Sequence, residues 1–210
     1  MINITKISLS SITIPLKTPF KTALREVDTI DDVVVYIHTN TEHYGIGSAP
    51  PTVAITGEDK ASISSFIKDH LAPLLIDKTL QNPQMLLASL HSLNGHTSAK
   101  AAVDMALYDL FSKCANQALY SYLGGVKKPL KSNITISLNR VDVMIKDAQK
   151  AVDEGYTILK VKVGGTVLED IERIFRIRSA VGREIILRVD ANQAWDLESA
   201  KAICAGVAPF

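Results

Sequence analysis

Hydrophobic and polar positions change their period twice along the chain. From Ile4 to Leu16 apolar residues alternate with polar ones, and residues 32–39 (DVVVYIHT) are rich in β-branched types. Both segments predict strands. Tyr44 to Ser48 (YGIGS) predicts a short third strand that Pro50-Pro51 ends. Between the first two, Thr18 to Asp31 carries no clear period and is read as a loop.

From Glu58 the period becomes helical. Ile63, Phe66, Ile67, Leu71 and Leu74 fall on one face, with Thr56 as the expected N-cap and Pro73 near the end. Pro83 to Leu93 predicts a second helix, and Ser98 to Ala115 a third with a face of small residues suited to close packing. Gly124-Gly125 closes this region. Strands followed by helices, without alternation, predict an α+β domain over residues 1–125.

After Gly125 the elements alternate. Strands are expected at Ile134–Leu138, Thr157–Val163 and Glu184–Asp190, and helices at Val141–Glu154, Val167–Val181 and Leu197–Ala205. Three βα units in succession call for parallel strands, here over residues 126–210.

Composition narrows the function. Hydrophobic residues make up 47% and charged residues 21%, as in ordinary globular proteins. Lys and Arg total 23 against 22 Asp and Glu, a net charge of +1 that points to neither nucleic acid nor anionic lipid. No apolar run approaches the roughly 20 residues that span a bilayer, and the N-terminus lacks the apolar stretch of a signal peptide. The expected partner is a small molecule. The two cysteines, Cys114 and Cys204, are too few for a disulfide framework and fit a reducing cytoplasm.

Two features of the βα region are unusual for buried strands. Lys160 and Lys162, within TILKVKV, are two apart and so share one face of a strand. They fit a solvated edge strand. They equally fit a covered parallel sheet, where burial and mutual repulsion would lower an ammonium pKa and make a lysine a base. The second feature is RVDAN at 188–192, an apolar strand ending in Asp190. An acid there can be a turn or cap residue, or it can face the loop rim where barrel active sites lie. As an oxygen ligand to a hard divalent cation it needs companions from other strands.

TILKVKV at 157–163 followed by DANQAW at 190–195 resembles the second and third barrel strands of the enolase superfamily, in the branch of muconate lactonizing enzymes and dipeptide epimerases. Within that branch the resemblance is to the Ala-Glu dipeptide epimerases. It extends through TPFKTALR (18–25), APPTVAITGE (49–58), SAKAAVDMALYDL (98–110), LYSYLGG (119–125) and ITISLN (134–139). The fold it implies is an α+β N-terminal capping domain followed by the first three βα units of a (β/α) barrel. A complete barrel takes about 250 residues, so the barrel is incomplete in this chain.

Enolase-type sites use a Lys or His base with Mg²⁺ stabilising an ene-diolate. The resemblance therefore implies lysine-mediated α-proton abstraction in Mg²⁺-dependent epimerisation of L-Ala-D/L-Glu-type dipeptides. Lys162 would be the acid/base catalyst. Lys160 would contact the substrate carboxylate and depress the Lys162 pKa. Asp190 would be the first Mg²⁺ ligand. Arg25 would pair with the glutamate side chain of the substrate, its guanidinium gripping a carboxylate bidentately; as a bare loop residue it also reads as a solvated cation. Thr135 would hydrogen-bond substrate at the mouth of the first barrel strand, or serve as a strand Thr bonded to backbone.

Where relatives carry an acid after the third cap strand, this chain has Gly47-Ser48. Two further metal-binding acids, a second lysine and the acids that hold the substrate amino group come from later strands in the family. The ending ICAGVAPF breaks off mid-pattern, and the chain reads as part of a longer enzyme, inactive by itself. A true gene product of this length would be a non-catalytic remnant that needs a partner chain. Other chemistry of the branch, o-succinylbenzoate synthesis or cycloisomerisation, is the alternative reaction. A homo-oligomer would be unsurprising for such a barrel.

Overall fold

The structure, a computed structural model, describes all 210 residues. It divides into two compact units, one of residues 1–15 with 29–128 and one of residues 16–28 with 129–210.

In the first unit the chain builds an antiparallel sheet in the order β1-β2-β3, with β1 Ile4–Lys21, β2 Glu26–Thr39 and β3 Tyr44–Ala49. The stretch 18–31 read as a loop is mostly strand. Only residues 22–25 turn, closed by the Thr22 N–H donating to the Arg25 carbonyl at 2.9 Å. Backbone pairing across a hairpin does not require apolar alternation, so the ladder continues where the periodic signal stops. This hairpin tip belongs to the second unit.

Helices α1 Val53–Thr56, α2 Lys60–Phe66, α3 Ala72–Leu75, α4 Pro83–His91, α5 Thr97–Cys114 and α6 Leu119–Tyr122 follow. The N-cap of α2 is Asp59, not Thr56. Asp59 forms a reciprocal capping box with Ser62, while Thr56 ends a short helix that Gly57 closes. Between α2 and α3 the chain widens to a π-helical turn over Ile67–Leu71. Pro73 has no N–H to continue the regular ladder, and the turn before it opens.

The core of this unit joins Val33, Val35 and Ile37 of β2 to Ala99, Ala102, Val103, Ala106, Leu107 and Leu110 of α5. Small residues on α5 allow β3 to lie directly against it. A Cβ at Gly47 would sit 1.9 Å from the Ala102 carbonyl oxygen, and one at Gly45 2.0 Å from that of Ala106. The first residue before α5, His96, gives its helix no side-chain cap. Instead the buried Glu58 carboxylate accepts the Ser98 N–H at 2.8 Å and the Ala99 N–H at 3.3 Å. A carboxylate at a helix N-terminus satisfies otherwise orphaned donors and the helix dipole together.

The second unit is the expected run of three βα units: β4 Ile134–Ile136, α7 Val141–Asp153, β5 Ile158–Lys162, α8 Val167–Val181, β6 Ile186–Asp190 and α9 Leu197–Val207. The strands are parallel, in the order β4-β5-β6. Leu159, Val161 and Val163 are buried in a core with Met144, Ala148, Ile174, Ile177 and Ile203 from the helices. The alternate residues of β5, Lys160 and Lys162, therefore face the other side of the sheet. No helix in either unit is long and apolar enough to cross a membrane, and both cysteines are free.

Candidate active site

Register alone brings the central residues together. Lys162 of β5 lies opposite Asp190 of β6, and Lys160 lies opposite Arg188 on one side and Thr135 of β4 on the other. Asp190 ends its strand, so its side chain stands at the C-terminal rim of the parallel sheet. Its Oδ2 accepts from Lys162 Nζ at 2.7 Å and Lys160 Nζ at 2.9 Å. Oδ1 accepts the Asn192 N–H at 3.0 Å. The two lysines, whose ammonium groups hold the proton of each bond, keep the Asp190 carboxyl far below the usual carboxylate range.

The environments of the two lysines differ, contrary to the expectation that both would be desolvated. The Lys162 side chain is 5% exposed and that of Lys160 38%. Lys162 sits closer to the strand end, where the hairpin tip closes over it: its Nζ lies 5.4 Å from the centroid of the Phe20 ring. An aromatic face shields an ammonium from water while attracting it electrostatically. Lys160, one pleat further in, keeps an open flank. The expected repulsion between the ammonium groups is offset by the carboxylate they share.

Arg25 lies at the end of the 22–25 turn, half-buried, its backbone N–H bonded to Thr22 Oγ1 at 3.3 Å. The same turn meets the loop after β5, since a Cβ on Gly164 would fall 2.5 Å from Ala23 Cβ. Gly164 holds φ +140, open to glycine. Thr135 is in register with Lys160 but lines a separate cavity of about 530 Å³ beside β4, together with Lys21, Glu26, Asn139 and Lys150. The structure thus joins Lys160, Lys162 and Asp190 directly, with Arg25 on an adjoining loop and Thr135 on the neighbouring strand.

Three further residues shape this site: Phe20 over Lys162, Trp195 in the loop after β6, and the buried Asp170 that receives the Trp195 indole N–H at 2.9 Å. Phe20 lies in a stretch with no periodic signal. Asp170 was visible as an acid on an otherwise apolar stripe of α8, shared with Ile174 and Ile177.

The residues present do not complete a metal site. No group of three or more His, Cys, Asp or Glu side chains is placed to hold a metal ion. Asp190 fits as a single oxygen ligand, and its Oδ2 is engaged by two ammonium groups.

Sequence and structure comparisons agree on the origin of this arrangement. Residues 4–124 match the mandelate racemase / muconate lactonizing enzyme N-terminal domain, and residues 143–210 match the enolase C-terminal domain-like family. The chain is 42% identical over 195 residues to the L-Ala-D/L-Glu epimerase of Clostridium acetobutylicum, covering 92% of this chain and 54% of that protein. The substrate-liganded L-Ala-D/L-Glu epimerase of Bacillus subtilis superposes with a TM-score of 0.92 at 42% identity, over 98% of this chain and 59% of that one. The dipeptide epimerase of Cytophaga hutchinsonii, solved with Mg and D-Ala-L-Val, gives 0.91 at 34% identity, over 99% and 56%. The chain thus spans about half the length of these relatives. With an antiparallel cap, parallel βα units and both domain families matched in order, the chain belongs to the mandelate racemase/muconate lactonizing enzyme branch of the enolase superfamily.

Proposed function

We propose that this chain supplies the cap and one catalytic face of a dipeptide epimerase acting on L-Ala-D/L-Glu-type substrates. The observation that carries the reading is the convergence of Lys162 and Lys160 on Asp190 at the strand ends. Relatives that share this part of the chain are named as epimerases.

Lys162 is the acid/base group. Phe20 and near-exclusion from solvent keep competing water away from it, and once it has released its own proton the neutral amine can take one from a substrate α-carbon. Lys160, more exposed, binds the substrate carboxylate through its ammonium group. Arg25 receives the acidic side chain of the C-terminal residue from the hairpin tip, and Thr135 offers a hydroxyl beside Lys160. Asp190 would give Mg²⁺ one ligand, the ion supplying stabilisation of the charge that develops on the carboxylate. Inversion at carbon needs a second base on the opposite face. This chain presents lysines from one strand only, so the whole reaction belongs to a protein of its relatives' length. The free thiols fit a reducing cytoplasm as its compartment.

The test is α-proton exchange of L-Ala-L-Glu in D₂O with Mg²⁺, followed by NMR. It is run on the 210-residue chain and on a version extended through the strands that its relatives contain. The extended protein should exchange and epimerise the dipeptide, and Lys162→Ala should abolish both. Arg25→Met should raise KM for the acidic dipeptide more than for L-Ala-L-Ala. An extended protein that leaves the dipeptide untouched while converting an o-succinylbenzoate or lactone precursor would reassign the reaction within the branch.

A further inference from the structure

Asp170 occupies a position where the amphipathic pattern of α8 calls for an apolar residue. It is buried on the stripe with Ile174 and Ile177, and is 0% exposed. A charge in such a place persists only when its oxygens are fully engaged. Oδ2 accepts the Gly164 N–H at 3.0 Å, the Gly165 N–H at 3.1 Å and the Trp195 indole N–H at 2.9 Å. Oδ1 accepts from Arg173 at 2.6 Å, which neutralises the charge, and from the Gly165 N–H at 3.2 Å.

Helix capping does not account for these bonds. The N-terminus of α8 is already closed by the reciprocal box of Thr166 and Glu169. The Asp170 carboxylate instead reaches outward to two loops, each continuing directly from a strand that carries a site residue. Gly164 follows Lys162 by two positions and Trp195 follows Asp190 by five. At Gly164 the hairpin tip also makes contact, because a Cβ there would lie 2.5 Å from Ala23 and 2.9 Å from Ala194. Glycine at 165 leaves room for the Arg173 guanidinium, which a Cβ would approach to 2.5 Å.

We propose that Asp170 is a positioning residue, a buried clamp that ties the β5–α8 loop to the β6–α9 loop and so fixes Lys162 against Asp190. The clamp stands on geometry alone; its kinetic consequence rests on the epimerase reading above.

Asp170→Asn keeps the volume but loses the charge and one acceptor. Trp195 is the only tryptophan, so its emission reports the clamp in the 210-residue chain without any assay of activity. The variant should shift that emission to the red and make it several-fold more sensitive to acrylamide. Exchange of the Gly164 and Gly165 amides, read by NMR, should quicken about tenfold or more. In the extended protein, turnover of L-Ala-L-Glu should fall about 10- to 100-fold with KM within about twofold, as expected for misplaced rather than missing groups. Trp195→Phe removes a single bond of the clamp and should lower turnover several-fold. The double variant should be no worse than Asp170→Asn alone. Should Asp170→Asn fail to fold, glycine exchange and turnover in Trp195→Phe decide the matter. Unchanged tryptophan emission and glycine exchange, or a loss of thermal stability with turnover intact, would overturn the proposal. If the unaltered extended protein does not act on the dipeptide, the epimerase reading fails while the fluorescence and exchange results still decide the clamp.

Discussion

Asp190 accepts from two ammonium groups, and its behaviour with pH follows from that. Two ammonium donors hold its carboxyl below the ordinary carboxylate range, whereas in the unfolded chain it titrates near 3.9, to order of magnitude. A depressed folded pKa stabilises the protein at all pH above the unfolded value. That contribution is lost as pH falls below about 4 and toward the folded value, because the unfolded state takes up its proton first. Urea midpoints measured from neutral pH down to about pH 2.5 should fall accordingly, and Asp190→Asn should flatten that part of the profile. At neutral pH the same substitution should destabilise the second unit, since two ammonium groups would lose the negative charge they share. An identical acid limb in both proteins would show that the pairing contributes nothing to folding. Lys160, Lys162 and Asp190 were legible in sequence because their types break an apolar pattern at strand spacing. The carboxylate shared by both lysines was not, because a two-residue period fixes a face and not the neighbour across the register. Phe20 was hidden for another reason: the partner it covers is distant in sequence.

At the scale of elements, the contact of β3 with α5 is the most demanding in the first unit. Gly45 and Gly47 face Ala106 and Ala102, and the backbones meet without side chains between them. Gly47→Ala would place a Cβ 1.9 Å from a carbonyl oxygen, with backbone rather than a flexible side chain as the obstacle. Overpacking of this kind costs about 1–3 kcal/mol and sometimes more. The urea midpoint of the 210-residue chain should fall by a corresponding amount, with Glu42→Ala, at an exposed position just before β3, as a control of small effect. Periodicity located most helices and strands, since each buries a stripe of its own. It missed the continuation of the first hairpin through residues 18–21 and 26–31, where β1 and β2 carry no alternating pattern. It misplaced the cap of α2 because Thr56 and Asp59 are both good capping types, and only the capping box with Ser62 selects Asp59.

For the molecule as a whole, the consequence of spanning half its relatives' length falls on the parallel sheet. With the order β4-β5-β6, β4 and β6 each have one edge without a strand partner. β6 is also apolar where it is open, with Ile186 53% and Val189 38% exposed. Edges of this kind pair readily with other chains. The antiparallel sheet manages its β3 edge better, since Asp109 accepts the outward Ile46 N–H at 2.8 Å and pairs with Lys113. The 210-residue chain should therefore self-associate as concentration rises, through the second unit rather than the first. Sedimentation velocity across a concentration series should show larger species. Ile186→Lys, which places a charge on the open strand, should shift them toward monomer, while a lysine on the outer face of the cap, at Ile46, should not. The extended protein, with strands to cover both edges, should lose the concentration dependence that the unpaired β4 and β6 create. Association that persists unchanged in Ile186→Lys would place the sticky surface elsewhere, and the exposed Val126 of the first unit and Leu130 of the second would be the next positions to charge.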